Sequence, residues 1–572
     1  MVCMVDVMLR ASTVSLVQCA LNEENEGKIR ANHGHGGNET INAVDKMHIF
    51  YKLVKSIVQK RLRKFECERL RRLILTSEDF LAEGHGSIEI CEPPTEAQSR
   101  IVKSLVRVIF HQLAMDDSSE AISEAHANLI FSLFIVKITS DIYVENPAIN
   151  TCLGTTLCNL KERVTNILEE EVNNAQTAQH VGSPSMEVGE LNVHLFCCLE
   201  DLQHQNDNKV LIDDFDKIDL YSDNENANDE CLTDENTLIS SKVNDSLDSS
   251  VRISKQTLSL TKVTLLPSKE LENCWESLFF DNDIKQKMFS YATIALKVAT
   301  LSREKANSNI DSSNIFSNNK LLIVHGPPGT GKTTVCKALV QKLSIRREFS
   351  CGTNPIDTRH KGILVEISCS RIFSRWFGES SKNLSSIFTD VENLLKLNEN
   401  SFVCLLIDEV EAIAISRDEL LNKSESTDGV RVVSTLLTLL DRLKKYNNLI
   451  VLATSNLLNS LDPAFIDRAD GVFHIGNPSK DAIIEILTST LRELMRKNII
   501  SCPFNALSQF KYEEVISLIA SKCLRFDVSG RTLRKLPLIC LSEHFQALPM
   551  QLDKFLIALA LSVASTTYKH HV

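Results

Sequence analysis

A chain of 572 residues is too long for one hydrophobic core and points to about two to four domains. Its apolar share of 43% and charged share of 24% are those of a globular protein, and a net charge of −12 gives no basis for expecting direct nucleic-acid binding. No apolar run is long enough to span a bilayer and Asp6 and Arg10 interrupt the first one, so neither a membrane nor a secretory route is expected; the 17 cysteines form no Cys-x-x-Cys pair and read as reduced thiols of a cytosolic or nuclear protein.

In chain order, residues 1–86 read as an N-terminal extension, partly disordered, with one basic helical stretch from about His48 to Leu75. Residues 87–202 read as an α/β domain with insertions. Its expected elements are a strand at Ser87–Ile90, an amphipathic helix from Ile101 to Leu113, and strands within Leu129–Val144 and Val193–Leu199. Over 203–256 the composition turns acidic, with Asp213, Asp214, Asp216, Asp219, Asp223 and Glu225 among Asn and Ser, which predicts a disordered, self-repelling linker. Order is expected to return with a helix-like stretch at Glu270–Leu278 and a helix ending near Thr300. A large α/β domain over 257–478 and a small helical one over 479–572 are what the family resemblance given below implies.

At the head of the α/β domain, the strand-like run Leu321-Leu322-Ile323-Val324 leads into Gly326-Pro327-Pro328-Gly329-Thr330-Gly331-Lys332-Thr333, and Thr334 continues into a segment with helical apolar spacing. Glycines without Cβ atoms let such a turn aim successive backbone N–H groups at phosphate oxygens, with the positive end of the helix behind them. Lys332 is expected on the β- and γ-phosphates of a nucleoside triphosphate, and the Thr333 hydroxyl on the Mg²⁺ that bridges them.

Further on, Phe402-Val403-Cys404-Leu405-Leu406-Ile407 is a buried-strand run ending in Asp408-Glu409, at the edge where open α/β sheets bind ligands. Asp408 would hold Mg²⁺ through its water shell, and Glu409 would deprotonate the attacking water. An isolated Asp-Glu pair is common in solvated turns; downstream of a phosphate loop it carries weight. A third strand, Leu449 to Thr454, delivers Asn456 to the same edge, where its amide would contact the γ-phosphate and position the water. Arg468 follows that strand by a short helical turn and could stabilise charge in a neighbouring subunit's site. Arg531, in Ser529-Gly530-Arg531, could reach the γ-phosphate of its own. A surface ion pair is the plain alternative for each arginine.

The phosphate loop, Asp-Glu pair, Asn456 and trailing helices are similar to those of AAA+ ATPases. The stretches Ile367 to Ser380, Asp408 to Ile413, Val430 to Val433, Ala464 to Asp470 and Ser529 to Pro537 resemble the pachytene checkpoint protein 2 family, from about Val263 to the C-terminus. The resemblance implies a doubly wound parallel sheet with a C-terminal helical lid, ATP and Mg²⁺ as cofactors, and a homo-hexamer. Its expected clients are HORMA-domain proteins of the spindle checkpoint and the meiotic chromosome axis, reached through a comet-type adaptor and converted from closed to open by pore-loop threading. That work implies nucleus and cytoplasm, with chromosomes or kinetochores. Trp376, Phe377 and Gly378 would form the substrate-gripping pore loop, since flat rings hold an extended chain without reading its sequence, and Arg417 to Gly429 a second one. The segments before Gly86 and between Ser118 and Ser185 depart from the family pattern.

Overall fold

In the computed structural model, β1 (Val2–Leu9) buries Cys3, Val5, Val7 and Leu9 on one side and Asp6 and Met8 on the other. The structure describes residues 2–31, 43–65, 70, 73–76, 95–115, 124–143, 190–198, 253–280, 283–306, 320–346, 361–372, 379–399, 401–417, 427–501, 510–545 and 548–568. They divide into two units, Met1–Gln205 with Cys351–Asp357, and Asn206–Ser350 with Thr358–Val572.

In the first unit β1 is followed by α1 (Ala11–Ala31), α2 (Ala43–Leu62), β2 (Ile74–Thr76), α3 (Glu96–Met115), α4 (Glu124–Phe134), β3 (Ile135–Tyr143) and β4 (Glu190–Phe196). The sheet order is β2-β3-β1-β4, with β1 antiparallel to β3 and parallel to β4. This corrects three expectations. The break at residue 86 does not separate two bodies, because β1 hydrogen-bonds to β3 and β4 on both of its edges. The basic helix runs Ala43–Leu62, and Leu75 belongs to a strand. The apolar run from Leu129 is helical through Phe134 before it becomes β3; a continuous apolar run has no period to decide between the two, and the packing of Phe134 edge-on to Phe50, 5.1 Å between ring centres, decides it. The strand expected at Ser87–Ile90 and the acidic stretch 203–250 lie outside the described residues.

The second unit opens with α5 (Lys255–Leu260) and β5 (Thr261–Leu266), then α6 (Ile284–Ala306), β6 (Leu321–His325), α7 (Lys332–Arg346), β7 (Gly362–Ser368), α8 (Cys369–Ile372), α9 (Glu379–Leu397), β8 (Phe402–Asp408), α10 (Thr427–Leu443), β9 (Leu449–Ser455), α11 (Pro463–Ile466) and β10 (Gly471–His474). Glu270–Leu278 is not a helix: a 3₁₀ turn covers Lys269–Leu271, and Asn273 at φ 61° stops it from propagating. The strands form one sheet in the order β10-β6-β9-β8-β7-β5, all parallel except β5 at its edge. Parallel sheets are covered on both faces, which is why Phe402 to Ile407 reads as an unbroken apolar run and is wholly buried. On one face α9 and α10 set Leu384, Phe388 and Val391, and Val433 and Leu436, against Val365, Leu405 and Val451. Helix α7 runs in the interior against β7, β8 and β9.

After β10, α12 (Lys480–Arg496), β11 (Ile500–Ser501), α13 (Phe510–Arg525), α14 (Gly530–His544), β12 (Met550–Gln551) and α15 (Leu552–Tyr568) enclose a separate cluster built on Leu487, Leu491, Ala520, Leu533 and Phe555. This is the expected helical lid. Among the described residues no helix is long and apolar enough to cross a membrane, and the described cysteines are free thiols.

Candidate nucleotide site

The loop after β6 depends on backbone that other residues resist. Gly326 sits at φ 146°, and a Cβ there would stand 2.0 Å from the Ile475 carbonyl oxygen; Gly331 is at φ 97°. Gly326 N–H donates to Ser455 O (3.2 Å), which ties the loop to the end of β9. With the first turn of α7 it lines a cavity of about 690 Å³, to which Pro328, Gly329, Thr330, Gly331, Lys332, Thr333 and Thr334 all contribute. The leading N–H groups of a helix lack partners within it and carry its positive end, so this wall suits an anion.

Lys332 folds over the loop, its Nζ donating to Gly326 O (2.9 Å) and Pro327 O (2.7 Å). Burial pulls its pKa below that of an ordinary lysine; the Glu411 and Asp408 carboxylates oppose that pull and the Arg531 guanidinium adds to it. Asp408, at the end of β8, accepts from Thr333 Oγ1 (2.8 Å) and from Thr454 Oγ1, while Thr454 Oγ1 in turn accepts from Glu409 N–H (3.1 Å). A hydroxyl and a carboxylate this close together, beside an anion cradle, are the hard oxygen donors that Mg²⁺ prefers.

Glu409 lines the cavity in a left-handed conformation, φ 57° and ψ 49°, which a side chain with a Cβ adopts at a cost. Asn456 lines it from the end of β9, with its backbone N–H (3.1 Å) and Nδ2 (2.9 Å) both donating to Glu411 Oε1. Arg531 arrives from the lid: Ser529 caps α14 by accepting from Thr532 N–H, and the Arg531 N–H donates to Gly329 O at 3.0 Å. Leu278, Phe279, Ile284, Ile475 and Ile486 complete an apolar wall suited to a flat base.

The structure therefore brings Lys332, Thr333, Asp408, Glu409, Asn456 and Arg531 to one cavity and leaves Arg468 off it. Arg468 forks onto Asp441 with Nε (3.1 Å) and Nη2 (2.8 Å), and its Nη1 donates to Ala464 O (2.7 Å). Trp376, Phe377 and Gly378 lie outside the described residues, as does most of the second loop; its ends are Arg417, paired with Asp462 at 2.7 Å, and the first turn of α10. Sequence reasoning missed Glu411, Thr454, Asp441 and the apolar wall. Thr454 and Glu411 had a local signal, each being a polar residue two positions from a predicted site residue. The wall had none, since its residues are scattered along the chain.

The profile of the ATPase family associated with various cellular activities (AAA) matches residues 322–477. Pachytene checkpoint protein 2 of Saccharomyces cerevisiae is 45% identical over 566 residues, 98% of this chain and 98% of its own. The pachytene checkpoint protein 2 homolog of Xenopus tropicalis is 37% identical over 312 residues, 52% of this chain and 68% of its own. Among solved structures, C. elegans PCH-2 aligns over 73% of this chain and 97% of its own at a TM-score of 0.45 and 23% identity. The yeast alignment spans nearly the whole chain, the segments before Gly86 and between Ser118 and Ser185 among it, whereas the Xenopus tropicalis alignment spans about half.

Proposed function

Because the chain belongs to the pachytene checkpoint protein 2 family of AAA ATPases, we propose that it assembles as a homo-hexamer and uses ATP hydrolysis to convert HORMA-domain proteins from the closed, partner-bound conformer to the open one. The observation that carries the reading is the convergence of Lys332, Asp408, Glu409 and Asn456, from the ends of three adjacent strands, with Arg531 from the lid on one cavity. Main-chain amides of the loop and Lys332 bind the phosphates. Thr333 and Asp408 hold Mg²⁺, which when bound neutralises phosphate charge. Glu409 takes the proton of the attacking water and Asn456 orients that water, while Arg531 ties lid position to the γ-phosphate. Arg468 acts on the site of the adjoining subunit.

The client is gripped by Trp376, Phe377 and Gly378 and reached through a comet-type adaptor. The work serves spindle-checkpoint silencing and meiotic chromosome-axis control, in nucleus and cytoplasm and on chromosomes or kinetochores. Support for this finer reading comes from the family's specific segments, Ile367 to Ser380 and Ser529 to Pro537 among them.

The test uses Glu409→Gln in the full chain. It is expected to keep labelled ATP bound, to lose turnover by about 10²–10⁴-fold, and to retain a HORMA protein in a pull-down. Hydrolysis at the parental rate removes Glu409 from its role. Normal ATP turnover by the parental chain with no change in the conformer ratio of HORMA substrates, resolved by ion exchange, means another remodelling ATPase with other clients.

A further inference from the structure

Where β8 ends, the left-handed backbone of Glu409 starts a tight 3₁₀ turn, Val410–Ala412, closed by Ala412 N–H on Glu409 O (3.0 Å) and Ile413 N–H on Val410 O (3.0 Å). This turn carries Glu411 across to the end of β9, the neighbouring strand. There a single oxygen, Oε1, accepts both the backbone N–H (3.1 Å) and the side-chain Nδ2 (2.9 Å) of Asn456. An ionised carboxylate has no proton to donate, so the amide must turn its NH₂ group toward Glu411. The Asn456 Oδ1 and one remaining N–H are left for the cavity that Asn456 lines.

The second oxygen, Oε2, is buried and takes no hydrogen bond from the described residues. A carboxylate serving stability alone would be poorly placed here, because half of its accepting capacity is removed from water without return. Its charge also acts on the site, as one of the two carboxylates that sustain the Lys332 ammonium against burial. We propose that Glu411 is a positioning residue for Asn456: it sets which way the amide points, so that Oδ1 accepts from the attacking water while the NH₂ end stays anchored. This rests on the reading that Asn456 serves hydrolysis.

The experiment measures ATP turnover, affinity for labelled nucleotide and melting temperature of the full chain carrying N456A, E411M, E411Q, and each Glu411 variant combined with N456A. E411M is expected to lower turnover about 10–100-fold with nucleotide affinity changed by less than about threefold. E411Q keeps a carbonyl acceptor and should recover most of that loss. On the N456A background the Glu411 substitutions should add nothing, since the group they position is gone. Turnover within about twofold of parental in E411M, while N456A is slow, overturns the inference and leaves the role of Asn456 standing, as do losses that multiply in the double variant. N456A at the parental rate takes both down. If E411M does not fold, the same cycle is read from E411Q, whose loss of about threefold must vanish on N456A.

Discussion

Replacing Arg468 by alanine separates a structural from a catalytic arginine by magnitude alone. Within its own subunit the guanidinium makes a fork on Asp441, with the two side chains 27% and 40% exposed, and one bond to Ala464 O. Its hydrogen bonds lead the forces that hold the Asp441 pKa at about 2. A half-exposed ion pair is worth about 0.5–1 kcal/mol after solvent screening, and the carbonyl bond about 1 kcal/mol. Loss of both should lower stability by no more than about 2 kcal/mol. An arginine acting on a transferring phosphoryl group is worth about 10³–10⁵ in rate, or roughly 4–7 kcal/mol. The expected result is a small drop in melting temperature with a collapse of ATP turnover at unchanged nucleotide affinity.

A mixing assay adds direction. R468A subunits keep an intact site of their own, and E409Q subunits keep the arginine. An equal mixture should recover about a quarter of the parental rate, because in a head-to-tail ring one interface in four pairs the two intact halves. No recovery on mixing, or a turnover loss that merely follows unfolding, refutes an action in trans.

Gly326→Ala should abolish nucleotide binding, measured with labelled ATP, because the new Cβ would stand 2.0 Å from Ile475 O and the residue would keep φ 146°; the strain is about 2–4 kcal/mol. Glu392, 4% exposed, accepts from Tyr446 Oη (2.6 Å) and pairs with Lys445 (3.0 Å) and Arg442. Burial would raise its pKa, but those partners, Tyr446 foremost, hold it at about 2 against an ordinary 4.5. A depressed carboxyl stabilises fully above the unfolded value and loses that contribution as pH falls through the folded one. E392Q should therefore cost about 1–2 kcal/mol at neutral pH, and its deficit in melting temperature should shrink as pH falls from about 4.5 toward 2. Trp376→Ala is expected to keep basal ATP turnover and lose conversion of a HORMA substrate by at least about tenfold, followed by ion exchange; unchanged conversion removes it from the pore loop.

What the chain alone determined was local. The phosphate loop was legible because its glycines answer to backbone angles set within a few residues, as Gly326 at φ 146° and Gly331 at φ 97° bear out. The strands β6, β8 and β9 were legible because a strand covered on both faces must be apolar throughout. The two polar ends that mattered, Asp408-Glu409 and Ser455-Asn456, follow those runs directly. β1 was missed because Asp6, 2% exposed in the fold, interrupts its apolar run, and its strand character shows only in its pairing with β3 and β4.

The tertiary structure decided which distant groups meet. Pairing within the sheet sets β8 beside β9 and so gives Asp408 the Thr454 hydroxyl and Asn456 the Glu411 carboxylate, while β6, which carries the phosphate loop, joins β9 on its other edge although it is three strands earlier in the chain. The lid's fold brings Arg531 N–H onto Gly329 O, and α10 carries the Asp441 that holds Arg468. Thr454 and Glu411 stand out locally as polar residues near predicted site residues, but which group each one meets has no local signature, because a hydrogen bond between residues far apart in the chain depends on how whole sheets and helices bury their apolar faces.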